Sequence, residues 1–193
     1  GIDFHSLTAA IISRKRISDI MPSERAAAKA INFGIAFGMG PAGLVTYALD
    51  NYDVELSLNE AKNFQRDFFD EYRGLAEWSQ EQATMKSRIT RTIGGRIRRW
   101  KGNRVSSTEL LNTPIQGTAA DVLKYALWIL SDRLTKLDAL LVGCVHDEII
   151  LEIDENNADY VAEELASIME EAGSWYLQRV PVVVDVKIDD HWS

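Results

Sequence analysis

ALLVGCVHDEIILEI, residues 139–153, is the stretch on which the fold turns. Two β-prone apolar runs, 139–145 and 148–153, flank the polar pair His146-Asp147, a pattern that predicts an antiparallel hairpin with the pair at its turn. An adjacent Asp-Glu pair such as Asp147-Glu148 is as a rule plain exposed charge. Here the flanking runs read as too apolar for a surface, and an unpaired carboxylate among them is costly unless a cation or hydrogen bonds satisfy it.

On the C-terminal side, 158–177 reads as an amphipathic helix and 181–188, rich in valine, as a last strand. On the N-terminal side, Val122, Leu123, Ala126, Leu127, Leu130 and Leu134 recur at helical spacing from Ile115 onward, with Pro114 marking the start of that helix or a kink in it. Further back, 89–93 and 96–100 flank Gly94-Gly95, which suits a tight turn because glycine accepts positive φ at both central positions. Ser57 and Glu60 form a capping box before a helix over 61–72, and a further helix covers 75–85. Ser23, preceded by Pro22, is placed to cap a helix that runs to about Gly38, where Gly38-Met39-Gly40-Pro41 breaks it. Helices dominate the first half, and a hairpin, a helix and a strand the second. The expected class is α+β.

The chain has 193 residues, 26% of them charged and 46% hydrophobic, and so can bury one good core or two smaller ones in contact. No apolar stretch approaches the ~18 residues of a membrane span, and the N-terminal residues do not resemble a signal peptide, so the expected compartment is the cytoplasm and no membrane partner is expected. Cys144 is the single cysteine, which excludes an internal disulfide and a cysteine-based zinc cage. The first residue is Gly1 rather than Met, so the expected origin is processing or a longer chain.

Within a formal net charge of -8, eight basic residues and no acidic one lie between Lys86 and Arg104. Such a strip draws phosphates to one place while the remaining surface repels them. A solvated basic hairpin has the same composition, so the strip alone leaves both readings open. A second pattern lies at Arg25, Lys29, Phe33 and Phe37. At four-residue spacing each step advances about 40° around a helix, so the four make one slowly winding stripe. Ala27, Ile31, Gly34, Ile35 and Gly38 form the expected buried face opposite. Two cations followed by two aromatics suit a nucleoside triphosphate, and equally suit a solvated edge beside core aromatics.

The string Arg25-x3-Lys29-x3-Phe33-Gly34-x2-Phe37-Gly38 resembles the fingers-helix motif of the family A DNA polymerases, with Phe37 where that family usually has Tyr. Val145-His146-Asp147-Glu148 resembles the palm motif of the same family, residues 112–121 (NTPIQGTAAD) an intervening signature, and residues 3–9 (DFHSLTA) the segment just after its first catalytic aspartate. Order and spacing agree across nearly the whole chain. One departure is Thr108, four residues before Asn112, where the family commonly has Arg; Arg104 is the nearby basic residue available to compensate.

The resemblance implies a fingers-like helical region over residues 1–112, with the basic hairpin 86–104, and a palm-like region over 113–193. It implies that Lys29 and Arg25 meet the triphosphate of an incoming dNTP, Lys29 counting among the catalytic residues, with His5 a lesser phosphate contact. Phe33 then lies against sugar and base, at a position that takes Phe or Tyr in the family and governs acceptance of a sugar without a 3′-hydroxyl. Phe37 stacks near the template base. Asn112, Gln116 and His146 touch primer-template DNA near the primer terminus, and Arg96, Arg98, Arg99 and Lys101 hold backbone phosphates.

The resemblance further makes Asp147 a metal ligand and Glu148 its supporting residue. Two Mg2+ ions, about 3.5–4 Å apart, would activate the primer 3′-hydroxyl and stabilise the leaving pyrophosphate. The family's second carboxylate lies on a strand upstream of residues 3–9, and the thumb and any exonuclease domain precede that strand. The expectation is therefore a fingers-and-palm piece of a DNA-directed DNA polymerase from a bacterium or a phage, inactive until a separate N-terminal fragment supplies the strand. Two other classes compete. A non-catalytic nucleic-acid-binding module would bind DNA indifferently to dNTP and Mg2+. A metal-dependent phosphohydrolase built on His146-Asp147 is poorly served by three histidines far apart in sequence.

Overall fold

The computed structural model describes residues 3–84, 89–101 and 105–192. Seven α-helices and two two-stranded antiparallel sheets are seen among them, an α+β fold. None of these helices is long and apolar enough to cross a membrane. The chain divides into two compact units, residues 1–88 with 99–112 and residues 89–98 with 113–193.

The first unit is helical. Asp3 caps α1 (Phe4–Ser13), its carboxylate accepting from the Ser6 N–H at 2.8 Å. The next helix, α2 (Pro22–Ala36), starts two residues earlier than a cap at Ser23 implied, because Pro22 itself takes the first helical position, where no N–H is needed. Ser23 therefore lies inside the helix, and the Glu24 carboxylate accepts the Met21 N–H at 2.9 Å. Then follow α3 (Pro41–Tyr52), α4 (Leu58–Glu71) and α5 (Arg73–Thr84). Ser57 and Glu60 make the expected reciprocal cap on α4. Met85, the last residue of the helix read over 75–85, lies outside the described residues. Ile31 and Ile35 of α2 pack with Leu44, Ala61 and Phe68 to form the core, and Thr8 and Tyr72 join hydroxyls at 3.2 Å. Burying a side chain the size of Phe68 or Ile31 contributes about 2–3 kcal/mol.

The buried surface of α2 comprises Ala28, Ala30, Ile31, Asn32, Gly34 and Ile35; Ala27 and Gly38, assigned to it from spacing, are only half-buried. Helices α1, α3 and α4 all pack against α2, so burial extends beyond one narrow stripe.

In the second unit, α6 (Ser107–Leu137) begins in the first and runs on through Pro114, which is neither its start nor its end. Proline has no N–H, so the Leu110 carbonyl loses its usual partner four residues on. A left-handed Asp138 (φ 50) ends the helix and leads directly into β3 (Ala139–Val145), which pairs with β4 (Glu148–Ile153) in register from Ala139↔Ile153 to Val145↔Glu148. Val142 is the extra residue of a bulge between Leu141↔Leu151 and Gly143↔Ile150. The α7 helix (Ala158–Tyr176) covers one face of this hairpin, and Leu130, Val161 and Ile168 are the heart of the core.

Two expectations fail here. Residues 181–188 form no strand, because a ladder needs a neighbour and no described strand runs beside them; Val182 instead packs against Gly173 of α7. The 139–153 hairpin is also not wholly interior. Leu140, Leu141 and Val142 are exposed, as are Asp147 and Glu148.

The basic hairpin is β1 (Ile89–Arg91) and β2 (Ile97–Arg99). Its connection is a three-residue loop rather than a two-glycine turn. The Gly95 N–H bonds the Thr92 carbonyl and the Thr92 N–H bonds the Arg96 carbonyl, both at 3.0 Å, and only Gly95 has positive φ (85°). This is a turn closed by a left-handed residue, a common three-residue hairpin loop.

Candidate functional site

In the first unit, α1 and α2 bring His5, Arg25, Lys29 and Phe33 together. The Asn32 amide nitrogen stands 2.9 Å from His5 Nδ1; with Asn32 donating, the imidazole proton sits on Nε2 as a donor. The His5 and Phe33 rings lie 5.6 Å apart, and Phe33 stacks on Phe37 at 6.2 Å and 17°. Phe37 lies just past the last helical residue, with a half-buried ring, while Phe33 is exposed. Burial pushes the His5 imidazole down from its ordinary value; Asp3 opposes this, and the Arg25 and Lys29 cations add to it.

Arg25 is already paired. Its Nε donates to Asp3 Oδ2 at 2.9 Å and its Nη2 to Asp3 Oδ1 at 3.0 Å, a two-pronged contact between exposed groups. That guanidinium, with the Ser6 hydroxyl and N–H, holds the Asp3 carboxyl far below the usual carboxylate range. The Lys29 ammonium lies 5.8 Å from the centre of the Tyr52 ring, at the end of α3. The group can therefore offer an N–H donor, two cations and two stacked rings to a single anionic, ring-bearing ligand. Asp3 and Asn32 escaped a reading by spacing because each acts through another side chain; Asp3 lay in a quoted motif, while neither Asn32 nor Tyr52 carried a signal of its own.

In the second unit, His146 and Asp147 occupy the β3–β4 turn and Glu148 opens β4 opposite Val145. His146 has φ 55, a left-handed conformation that costs a side-chain-bearing residue about 1–2 kcal/mol. Strain of this kind gathers where a turn must aim a particular group. Among the described residues no group of three or more His, Cys, Asp or Glu side chains is gathered to hold a metal ion. Asp147 and Glu148 are oxygen donors of the kind Mg2+ takes, but on their own they fall short of a coordination set.

Gln116 is exposed on α6, and Asn112, one turn earlier in the same helix, is half-buried with a carbonyl oxygen that has no partner among the described residues. Of the cationic strip, Arg96, Arg98, Arg99 and Lys101 are exposed; Arg98 Nη1 reaches Thr113 Oγ1 at 3.2 Å, and Arg96 pairs with Asp121. Lys86, Arg88 and Arg104 lie outside the described residues. A recess of about 620 Å3 between the hairpin tip and the end of α7, lined by Ile93, Gly94 and residues 175–180, contains none of the predicted site residues.

The pattern of DNA polymerase family A matches residues 1–193. The DNA polymerase I of Aquifex aeolicus (strain VF5) is 38% identical over 199 aligned residues, a match that covers all of this chain and 34% of the relative. The thermostable DNA polymerase I of Thermus thermophilus is 32% identical, again over the whole chain and 23% of its own length. Among solved structures, the POL domain of Pol1 from M. smegmatis, in complex with DNA primer-template and dNTP, superposes with a TM-score of 0.75 at 26% identity, over 88% of this chain and 31% of that one. The chain belongs to DNA polymerase family A. It spans about a third or less of the length of these relatives.

Proposed function

We propose that this chain is the nucleotide-binding and DNA-holding portion of a DNA-directed DNA polymerase, with a fingers role for residues 1–112 and a palm role for 113–193. The observation that carries the reading is the gathering of His5, Arg25, Lys29, Phe33 and Phe37 across α1 and α2. Lys29 and Arg25 meet the triphosphate, and His5 gives a further N–H. Phe33 lies against the sugar and base, and Phe37 against the template base. Arg25 enters this role by exchanging Asp3 for phosphate, or by sharing its fork between the two.

Asn112, Gln116 and His146 face the primer terminus, and Arg98, Arg99 and Lys101 hold backbone phosphates, giving affinity that falls with salt. Asp147 provides one carboxylate for Mg2+, Glu148 supports it, and a further carboxylate comes from a palm strand outside these 193 residues. The ions supply Lewis-acid chemistry at the phosphoryl group when bound.

The test is Lys29→Ala in a chimera that joins this chain to the upstream palm strand of a relative. The dNTP KM should rise at least tenfold while duplex binding stays within twofold. Unchanged dNTP kinetics would remove Lys29 from the triphosphate site. Binding of DNA by the chain that ignores dNTP and Mg2+, in a chimera that extends no primer, would favour the non-catalytic binding module instead.

A further inference from the structure

We propose that Arg96, which by its place in the cationic strip reads as a phosphate contact, is a positioning residue that fastens the basic hairpin to α6. Its Nε donates to Asp121 Oδ1 and its Nη2 to the Gly117 carbonyl, both at 2.7 Å. Two of the donors that would grip a phosphate are thus engaged by one helix, at positions one turn apart. Asp121 is nearly buried, and its other oxygen has no partner among the described residues. Without Arg96 its carboxylate would be a buried charge with nothing to offset it.

Neighbouring contacts serve the same end. The Thr118 hydroxyl accepts the Ile93 N–H at 3.1 Å and donates to the Pro114 carbonyl at 2.6 Å, so the loop's backbone is tied to α6 through a side chain whose own proton is spent. A methyl group at Gly117 would fall 2.6 Å from Thr92 Cγ2, and one at Gly94 would fall 2.7 Å from the Tyr176 ring, so the tip sits as close to both helices as glycine permits. Within the loop, the Arg96 N–H bonds Thr92 Oγ1 at 3.0 Å. Arg98, two residues along, also reaches α6, at Thr113. Thr113, Gly117 and Asp121 are consecutive members of one i, i+4 row, so the hairpin is seated along a single ridge of α6. Arg96 thereby fixes the direction in which the cations of β2 and the residues after it are offered. That consequence rests on the reading of the ribbon as a DNA contact; the fastening itself does not.

The chain as it stands, carrying Arg96→Gln, Asp121→Asn or the exchange Arg96→Asp with Asp121→Arg, is measured by amide hydrogen exchange at Thr92, Ile93 and Gly95. Each single change should speed exchange at least tenfold and the exchanged pair should recover part of the protection; unaltered rates in both singles overturn the proposal. Asp121→Asn alters no volume, so it decides the matter even if Arg96→Gln fails to fold. Duplex binding against salt gives the second readout. Arg99→Ala and Lys101→Ala should each lower the slope of log K on log salt by about 0.9, whereas Arg96→Gln should leave it unchanged and Asp121→Asn should weaken binding. A slope lowered by about one in Arg96→Gln, with tighter binding in Asp121→Asn, makes Arg96 a phosphate contact after all. If Arg99→Ala and Lys101→Ala leave the slope untouched, the DNA reading of the ribbon fails, while the exchange rates still decide the fastening.

Discussion

Asn32 spends its amide nitrogen on His5 and buries its oxygen without a partner among the described residues, so the imidazole is held at a cost. The folded protein resists protonating that ring, whose ordinary value is 6.5, mainly because it is partly buried and secondarily because of Arg25 and Lys29. The unfolded chain therefore binds the proton more readily. The stabilisation is complete above pH 6.5 and is lost as pH falls through the folded value. Calorimetry from pH 7.5 to 5.5 should show Tm falling with acidity, and His5→Gln should flatten that dependence; an equal slope in both proteins would show that another group titrates. Phe33 supports a second expectation. Its exposed ring has no hydroxyl to stand in for a missing sugar 3′-hydroxyl, so a chimera containing the parent residue should discriminate against dideoxynucleotides and Phe33→Tyr should relax this. Competitive incorporation that gives one ratio for both residues would count against the assignment. The spacing of Arg25, Lys29, Phe33 and Phe37 was legible because a helix converts it into a stripe. Tyr52 was not, because its partner lies 23 positions away on another helix and no local pattern joins them.

Elements with local causes could be read in advance. The Ser57–Glu60 box forms as expected and starts α4 at Leu58, three residues before the helix read over 61–72, and the polar pair His146-Asp147 turns the chain between β3 and β4. Elements whose existence depends on a neighbour could not: residues 181–188 have the composition of a strand and no ladder to join among the described residues, and α6 begins at Ser107, seven residues before the proline read as its start or a kink in it. The end of α2 offers a quantitative test. Gly38 has φ 76, and a methyl group there would meet Leu111 Cδ1 at 2.5 Å. Gly38→Ala should therefore cost about 2–4 kcal/mol, from overpacking and left-handed strain together. Gly40→Ala, whose methyl would meet nothing within 4 Å, should stay within about 1 kcal/mol. Urea melts with unchanged m-values would measure both, and equal losses would mean that the α2 end is not as tightly seated against Leu111 as described.

At the scale of the molecule, the candidate residues divide between the two units: His5, Arg25, Lys29 and Phe33 belong to one and Asp147 to the other. On the proposed reading, the 193 residues alone should bind primer-template weakly and extend no primer, since the described residues gather no metal-holding cluster around Asp147. Adding the upstream palm strand should restore Mg2+-dependent extension, and Asp147→Ala in that chimera should abolish it without a change in Tm. Robust templated synthesis by the 193 residues alone, or full activity of Asp147→Ala, would mean that the metal site lies elsewhere.

The exposed run Leu140, Leu141 and Val142 has a consequence for the molecule in the test tube. At high concentration, copies of the chain should stick to one another along β3, scattering light in proportion to dose, and Leu140→Lys should dissolve them. The misfit at Val142 limits what such clumps become. A straight strand from another copy cannot zip past the extra residue in register, so the deposits should be amorphous, reversible on dilution and blind to dyes that report amyloid.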